Sequence, residues 1–76
     1  SSEQRIYSFI HDSAIEHGKQ TTAGIEVFLR LTHDDIAKLT ATARPTVSAV
    51  FGDLEKRNII EYNRKRILVK DINALK

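Results

Sequence analysis

The residues with chemistry to offer are basic and hydroxylic, and they fall in two short runs. One is Arg44-Pro45-Thr46-Val47-Ser48-Ala49, preceded by Thr42; the other is Arg64-Lys65-Arg66. Guanidinium and ammonium groups bind phosphate oxygens, and hydroxyl and backbone N–H groups add shorter contacts that fix register. That chemistry is non-covalent recognition of an anionic partner. The remaining residues supply no rival chemistry: there is no cysteine, no nucleophile paired with a base and no glycine-rich phosphate loop. His11, His17 and His33 are too scattered for a metal site, and surface placement is expected for all three. The Asp34–Asp35 pair complements the positive end of a helix dipole rather than forming an acid–base pair. An enzyme is not expected.

The element that must position the first run extends from Thr32 to Ile60. Val47, Val50, Phe51 and Leu54 recur at i, i+3, i+4 and i+7, the spacing of one buried helix face. The opposite face carries Pro45, Ser48, Ala49, Gly52 and Lys56, mostly small residues that let another surface approach the backbone closely. A shorter helix over about Asp34–Thr40 precedes it and offers Ile36, Ala37 and Leu39 to the same core. Thr32 and Asp35 form a carboxylate variant of the capping box. Ala41, Thr42 and Ala43 make the turn, and Pro45 is tolerated in a first helical turn. Short helix, tight turn and longer helix are the pattern of a helix-turn-helix, whose second helix enters the DNA major groove.

The flanking segments complete a winged helix of mainly α class. A first helix over about 3–17 has the apolar stripe Ile6, Phe9, Ile10 and Ala14, with Gly18 as a C-cap at positive φ. The polar segment Gly18–Gly24 is expected as a loop. Alternation of Ile25, Val27, Leu29 and Leu31 predicts a strand over about 25–31, with Phe28 packing under the first helix. The helix-turn-helix spans about 32–57, with Asn58 as its exit residue. Ile59 to Lys70 forms a two-stranded wing turning at Asn63-Arg64-Lys65, and Asp71 caps a short turn ending at Leu75. Tyr7 and Tyr62 are expected at the edge of the core.

Charge is distributed unevenly. Residues 1–43 carry a net charge of −2, residues 44–70 carry +4, and the last six residues cancel. The positive charge lies in and just after the recognition helix, where a phosphate backbone requires it. Seventy-six residues suit one domain over 1–76 with a small core. Absence of cysteine suits a reducing, cytoplasmic setting, and no run reaches the roughly 20 apolar residues of a membrane span. The chain also has no methionine, and a piece of a longer protein is expected.

Thr32, Asp35, Ile36-Ala37, Arg44-Pro45-Thr46-Val47-Ser48, Leu54-Glu55, Ile59-Ile60, Arg64 to Arg66 and Asp71 to Leu75 together form a recognisable series. Over about 45 residues it resembles the C-terminal winged-helix domain of the Crp/Fnr (cyclic AMP receptor protein) family of bacterial transcription regulators. The resemblance implies sequence-specific binding of double-stranded DNA, by a homodimer in the full-length protein. It also implies that a separate N-terminal sensor receives the signal, so no cofactor is expected within these residues. Ala49 and Pro45 stand where the family often has arginine and glutamate, two base-reading residues. Ala41-Thr42 stands where its turn usually has glycine.

Arg44 is expected to contact a base or phosphate, Ser48 a base edge or phosphate, and Ala49 a thymine methyl. Thr42 and Thr46 are expected to bind phosphate through hydroxyl and backbone N–H groups, with Pro45 opening the same helix end. Arg64, Lys65 and Arg66 are expected on phosphates or in the minor groove, whereas Lys56 and Arg57 complement the helix C-terminus. The rival is a winged helix that docks protein, such as RNA polymerase or a partner subunit.

Overall fold

The computed structural model describes residues 1–76. The chain runs α1 (Ser2–His17), β1 (Lys19–Thr21), β2 (Gly24–Val27), α2 (His33–Thr40), α3 (Arg44–Lys56), β3 (Ile60–Tyr62), β4 (Ile67–Val69) and a terminal 3-10 turn (Ile72–Leu75). The Ser1 hydroxyl starts α1 by accepting from the Gln4 N–H at 3.2 Å, which satisfies one of the orphan donors of a helix start. The α1 stripe of Ile6, Ile10 and Ala14 meets Ile36 and Ala37 of α2 and Val47, Val50, Phe51 and Leu54 of α3 in one core. Apolar side chains of the sheet and Leu75 close that core from the other side.

The four strands make one antiparallel sheet in the order β1-β2-β4-β3. β2 sets Ile25, Glu26 and Val27 against Val69, Leu68 and Ile67, and β3 sets Ile60, Glu61 and Tyr62 against the same three residues. Side-chain alternation therefore turns Val27, Ile60, Ile67 and Val69 toward the helices and Glu26, Glu61 and Leu68 away from them. On the outer face Arg66 Nη1 lies 2.6 Å from Glu26 Oε2, and Lys70 Nζ lies 3.3 Å from Glu61 Oε2. The methylene stems of these ion pairs flank Leu68, which is 3% exposed although it points away from the core.

Both helices of the helix-turn-helix end in Schellman geometry built on a residue other than glycine. In α2, Ala41 adopts φ 55° while Thr42 N–H donates to Ala37 O at 2.8 Å and Ala41 N–H to Lys38 O at 3.4 Å. In α3, Asn58 adopts φ 60° while Ile59 N–H donates to Leu54 O at 2.9 Å and Asn58 N–H to Glu55 O at 3.0 Å. These bonds satisfy the last orphan carbonyls of each helix. Arg5 adds a clamp from α1: its Nε donates to Thr40 O at 2.9 Å and its Nη2 to Ala41 O at 3.1 Å.

Several expectations are corrected. The strand predicted over 25–31 ends at Val27, because β4, its partner in the sheet, is only three residues long. Beyond it Leu29 and Leu31 still pack on the core, but Phe28 is 68% exposed and lies under no helix. The polar segment 18–24 is not all loop: Lys19–Thr21 pairs with Gly24–Glu26 as an edge strand. Gly18 caps α1 with an extended φ of −80°, so its conformation is open to any residue. Glycine is required there because a Cβ would collide with Ala14 O and the Ile25 side chain. Leu39 is 63% exposed, its place in the core taken by Thr40, whose hydroxyl donates to Ile36 O at 2.7 Å. Asp71 precedes the terminal turn without a side-chain cap bond.

Candidate nucleic-acid interface

The two helices of the helix-turn-helix treat their N-termini differently. α2 is closed on itself: Asp35 N–H donates to Thr32 Oγ1 at 3.1 Å, and Thr32 N–H donates back to Asp35 Oδ2 at 2.9 Å. The Thr32 N–H, and then the Thr32 hydroxyl, hold the Asp35 carboxyl below its ordinary pKa, with the Lys38 cation adding to the shift. α3 is left open. Ala43 at its N-cap contributes no side-chain bond, its first turn holds no acid, and Pro45 brings no N–H. The positive end of its dipole is therefore uncompensated from within, a state that suits an external anion.

Thr42 and Thr40 share their hydroxyls at 2.9 Å. Thr40 has one proton and gives it to Ile36 O, so Thr42 is the donor of the pair. With its N–H on Ala37 O, Thr42 has both donors engaged inside the turn. It locks the turn, and the donors expected to meet phosphate are already taken. Thr46 gives its N–H to Ala43 O at 3.0 Å, leaving its hydroxyl without a partner.

Along α3, Val47, Val50, Phe51 and Leu54 are buried, while Arg44, Pro45, Ser48, Ala49 and Gly52 are exposed on the opposite side. A Cβ built on Gly52 meets nothing within 4 Å, so this face is low and open. Ser48 is nonetheless anchored, with its Oγ 2.8 Å from His33 Nδ1. The His33 ring packs at a tilt on Phe51 and Tyr62 at centroid distances of 5.1 and 5.0 Å, and Phe51 meets Tyr62 edge-on at 4.9 Å. Burial, and then the charge of Arg44, lower the His33 pKa below 6.5, opposed by Glu55, so the ring is neutral at physiological pH. Burial, with the Asp35 and Glu55 carboxylates, raises the Tyr62 phenol, which donates to Leu31 O at 3.0 Å.

The wing turn is built by Asn63, whose side-chain oxygen accepts from Lys65 N–H at 2.9 Å and Arg66 N–H at 3.1 Å. Arg64 and Lys65 are left exposed at the tip. Arg66 is not: it is half-buried against Glu26, so the wing presents two free cations where three were expected. A groove between α3 and the wing is lined by Thr32, His33, Asp34, Arg44, Tyr62 and Arg64. It continues past Arg30, Leu31 and Lys65. Arg30, Arg44, Arg64 and Lys65 border it and take part in none of the ion pairs of the molecule; Asp34, the acid of the groove, is paired with Lys38.

Sequence reasoning missed two of these residues. Arg30 lies within the predicted strand, and no local pattern places it beside a turn more than thirty positions later. His33 was expected at the surface, although its spacing of fifteen residues from Ser48 is bridged by the packing of α2 on α3. No cluster of three or more His, Cys, Asp or Glu side chains is arranged to hold a metal ion, and no helix is long and apolar enough to cross a membrane.

The model of the Crp-like helix-turn-helix domain matches residues 4–76. The global nitrogen regulator of Synechocystis sp. is 34% identical over 71 residues, which cover 93% of this chain and 32% of that protein. The anaerobic regulatory protein of Haemophilus influenzae is 27% identical over 75 residues, 99% of this chain and 29% of that protein. Among solved structures, the CO-dependent transcription factor CooA from Carboxydothermus hydrogenoformans superposes with a TM-score of 0.93 at 32% identity, over 99% of this chain and 35% of that one. The chain thus spans about a third of the length of these relatives. It belongs to the Crp-like helix-turn-helix family of transcription-regulator domains.

Proposed function

We propose that this DNA-binding domain reads its target with α3 in the major groove and the wing tip on the flanking backbone. The observation that carries the reading is the low face of Ser48, Ala49 and Gly52, bordered by cations that have no partner within the fold. In this arrangement Arg44 meets a guanine edge or a phosphate, Ala49 packs on a thymine methyl, and the Thr46 hydroxyl and the open α3 N-terminus take a phosphate. Arg64, Lys65 and Arg30 neutralise further phosphates. Thr42 and Arg66 act one step back, one holding the turn and the other the root of the wing. Few base-reading side chains leave much of the specificity to DNA shape and deformability.

We further propose that the chain is one domain of a longer bacterial regulator, which pairs two copies on two half-sites and senses its signal outside these residues. Pairing supplies by avidity what one copy lacks in affinity. The exposed Leu39 lines a cleft with Arg5, Phe9 and Asp12 of α1, which offers a surface for RNA polymerase or a neighbouring domain.

The test is the salt dependence of binding to duplex DNA. Four phosphate contacts, from Arg30, Arg44, Arg64 and Lys65, give a slope of log affinity against log salt of about −3 to −4. Arg44→Ala lowers the slope by about one and blurs the selected site. Binding that is absent at low salt, or insensitive to salt, contradicts the reading and favours a protein-docking role.

A further inference from the structure

Ser48 is the polar side chain at the middle of the outward face of α3, and its hydroxyl has one partner, His33 Nδ1 at 2.8 Å. The ring that supplies this nitrogen is held in a compact cluster of three rings. Phe51 and Tyr62 pack against it, and Tyr62 is itself tied to Leu31 O. The other ring nitrogen, Nε2, is buried with no hydrogen-bond partner.

A neutral imidazole has one N–H and one bare lone pair. If Nδ1 accepted the Ser48 proton, the N–H would sit on Nε2, buried and unanswered. A buried N–H left unpaired is the rarer arrangement in folded proteins than an under-satisfied acceptor. The N–H therefore sits on Nδ1 and donates to Ser48 Oγ. That bond occupies a lone pair of the hydroxyl and leaves its proton free to point outward from α3. Without it, a helical serine turns its proton back to the carbonyl four residues earlier, here that of Arg44.

We infer that His33 is a positioning residue that holds Ser48 as a hydrogen-bond donor toward DNA, so that α3 selects an acceptor atom opposite Ser48. This rests on the placement of α3 in the major groove. The acceptor is a base-edge atom, such as guanine O6 or N7, adenine N7 or thymine O4, or it is a phosphate oxygen. Arg44 and Glu55 of α3, Asp34 of α2 and Arg64 of the wing are the charged groups around the ring. None of them takes the place of Ser48 on Nδ1.

Two experiments on the 76-residue chain test the inference. Nitrogen-15 NMR of the His33 ring above neutral pH, without DNA, is expected to show the Nδ1–H tautomer in the wild type and a shifted Nδ1 resonance in Ser48→Ala, which removes its acceptor. An Nε2–H wild type overturns the inference. Affinity and site selection are then compared for wild type, Ser48→Ala, His33→Phe, the double variant and His33→Asn. Ser48→Ala and His33→Phe each weaken binding about tenfold, and the double variant is no weaker than either single one. His33→Asn, which returns an N–H to the Nδ1 position, recovers most of the loss. A loss confined to one base-pair position assigns the acceptor to a base, and a uniform loss assigns it to phosphate. Unchanged binding by His33→Phe, or additive losses, overturns the inference. His33→Phe keeps the ring cluster and removes an unpaired buried nitrogen, so its melting temperature is expected not to fall. A wild type that fails to bind DNA in a salt-sensitive way overturns the placement of α3, whereas the tautomer result reports the His33–Ser48 bond independently.

Discussion

At the scale of single residues, what separates a binding group from a structural one is whether the fold has already used it. Lys65 and Arg66 are neighbours of like charge, yet only Arg66 has a partner, Glu26 at 2.6 Å. Arg66→Ala is expected to destabilise the fold by about 1 kcal/mol and leave the salt slope of DNA binding unchanged. Lys65→Ala is expected to lower that slope by about one while changing stability by less than about 0.5 kcal/mol. Denaturation and binding isotherms on the two variants check both. His33 gives a pH dependence of defined sign. Its pKa in the folded chain lies below 6.5, so between that lowered value and 6.5 the unfolded chain binds more protons than the folded one. The contribution is complete above pH 6.5 and is lost as pH falls through that window. Melts of the wild type from pH 7.5 to 5 are expected to show a loss of stability that His33→Phe lacks. The basic and hydroxylic residues were legible from the sequence as a set. Which of them remain free was not, because the partner of Arg66 lies 40 positions away and that of Ser48 lies 15 away.

At the scale of elements, the helix-turn-helix was the most legible part of the chain, since its signals are local. Caps, a four-residue apolar stripe and a proline in the first turn act within a few positions of one another. The sheet was less legible, since a strand needs a partner as well as a pattern. Ile25 to Leu31 alternates throughout, but only the part facing β4 becomes strand. Lys19–Thr21, polar because it lies at an edge, looks like a loop until its partner is known. The turn between α2 and α3 carries a cost that a substitution can remove. Ala41 sits at φ 55°, where an L-residue is disfavoured and glycine is not. Ala41→Gly is therefore expected to stabilise the fold by about 0.5–1 kcal/mol, after allowance for the added freedom of glycine in the unfolded chain. A lower melting temperature would show that the turn is not strained at Ala41. The Arg5 bonds to Thr40 O and Ala41 O tie this turn to α1, so the angle between α2 and α3 is fixed from both sides.

At the scale of the whole molecule, the core of α1, α2, α3 and the sheet is a scaffold that sets Arg44 at the start of α3 and Arg64 at the tip of the wing along one groove. The groove between them collects Arg30, Arg44, Arg64 and Lys65 from three separate segments, although the net charge of the chain is only +2. Placement rather than total charge makes the proposed interface, as is expected when binding is driven by local phosphate contacts. The acidic residues Glu26 and Glu61 sit on the outer face of the sheet, each neutralised by its own cation. The most direct measurement of this account is a titration of the isotopically labelled chain with duplex DNA, following each backbone amide by NMR. The account predicts that the perturbed amides cluster at Arg44, Thr46, Ser48, Ala49 and Gly52 of α3, at Arg64 and Lys65 of the wing, and at Arg30, with the exposed side of α1 unmoved. Perturbations centred on Phe9, Ile15 and Leu39, with the α3 face silent, would contradict it.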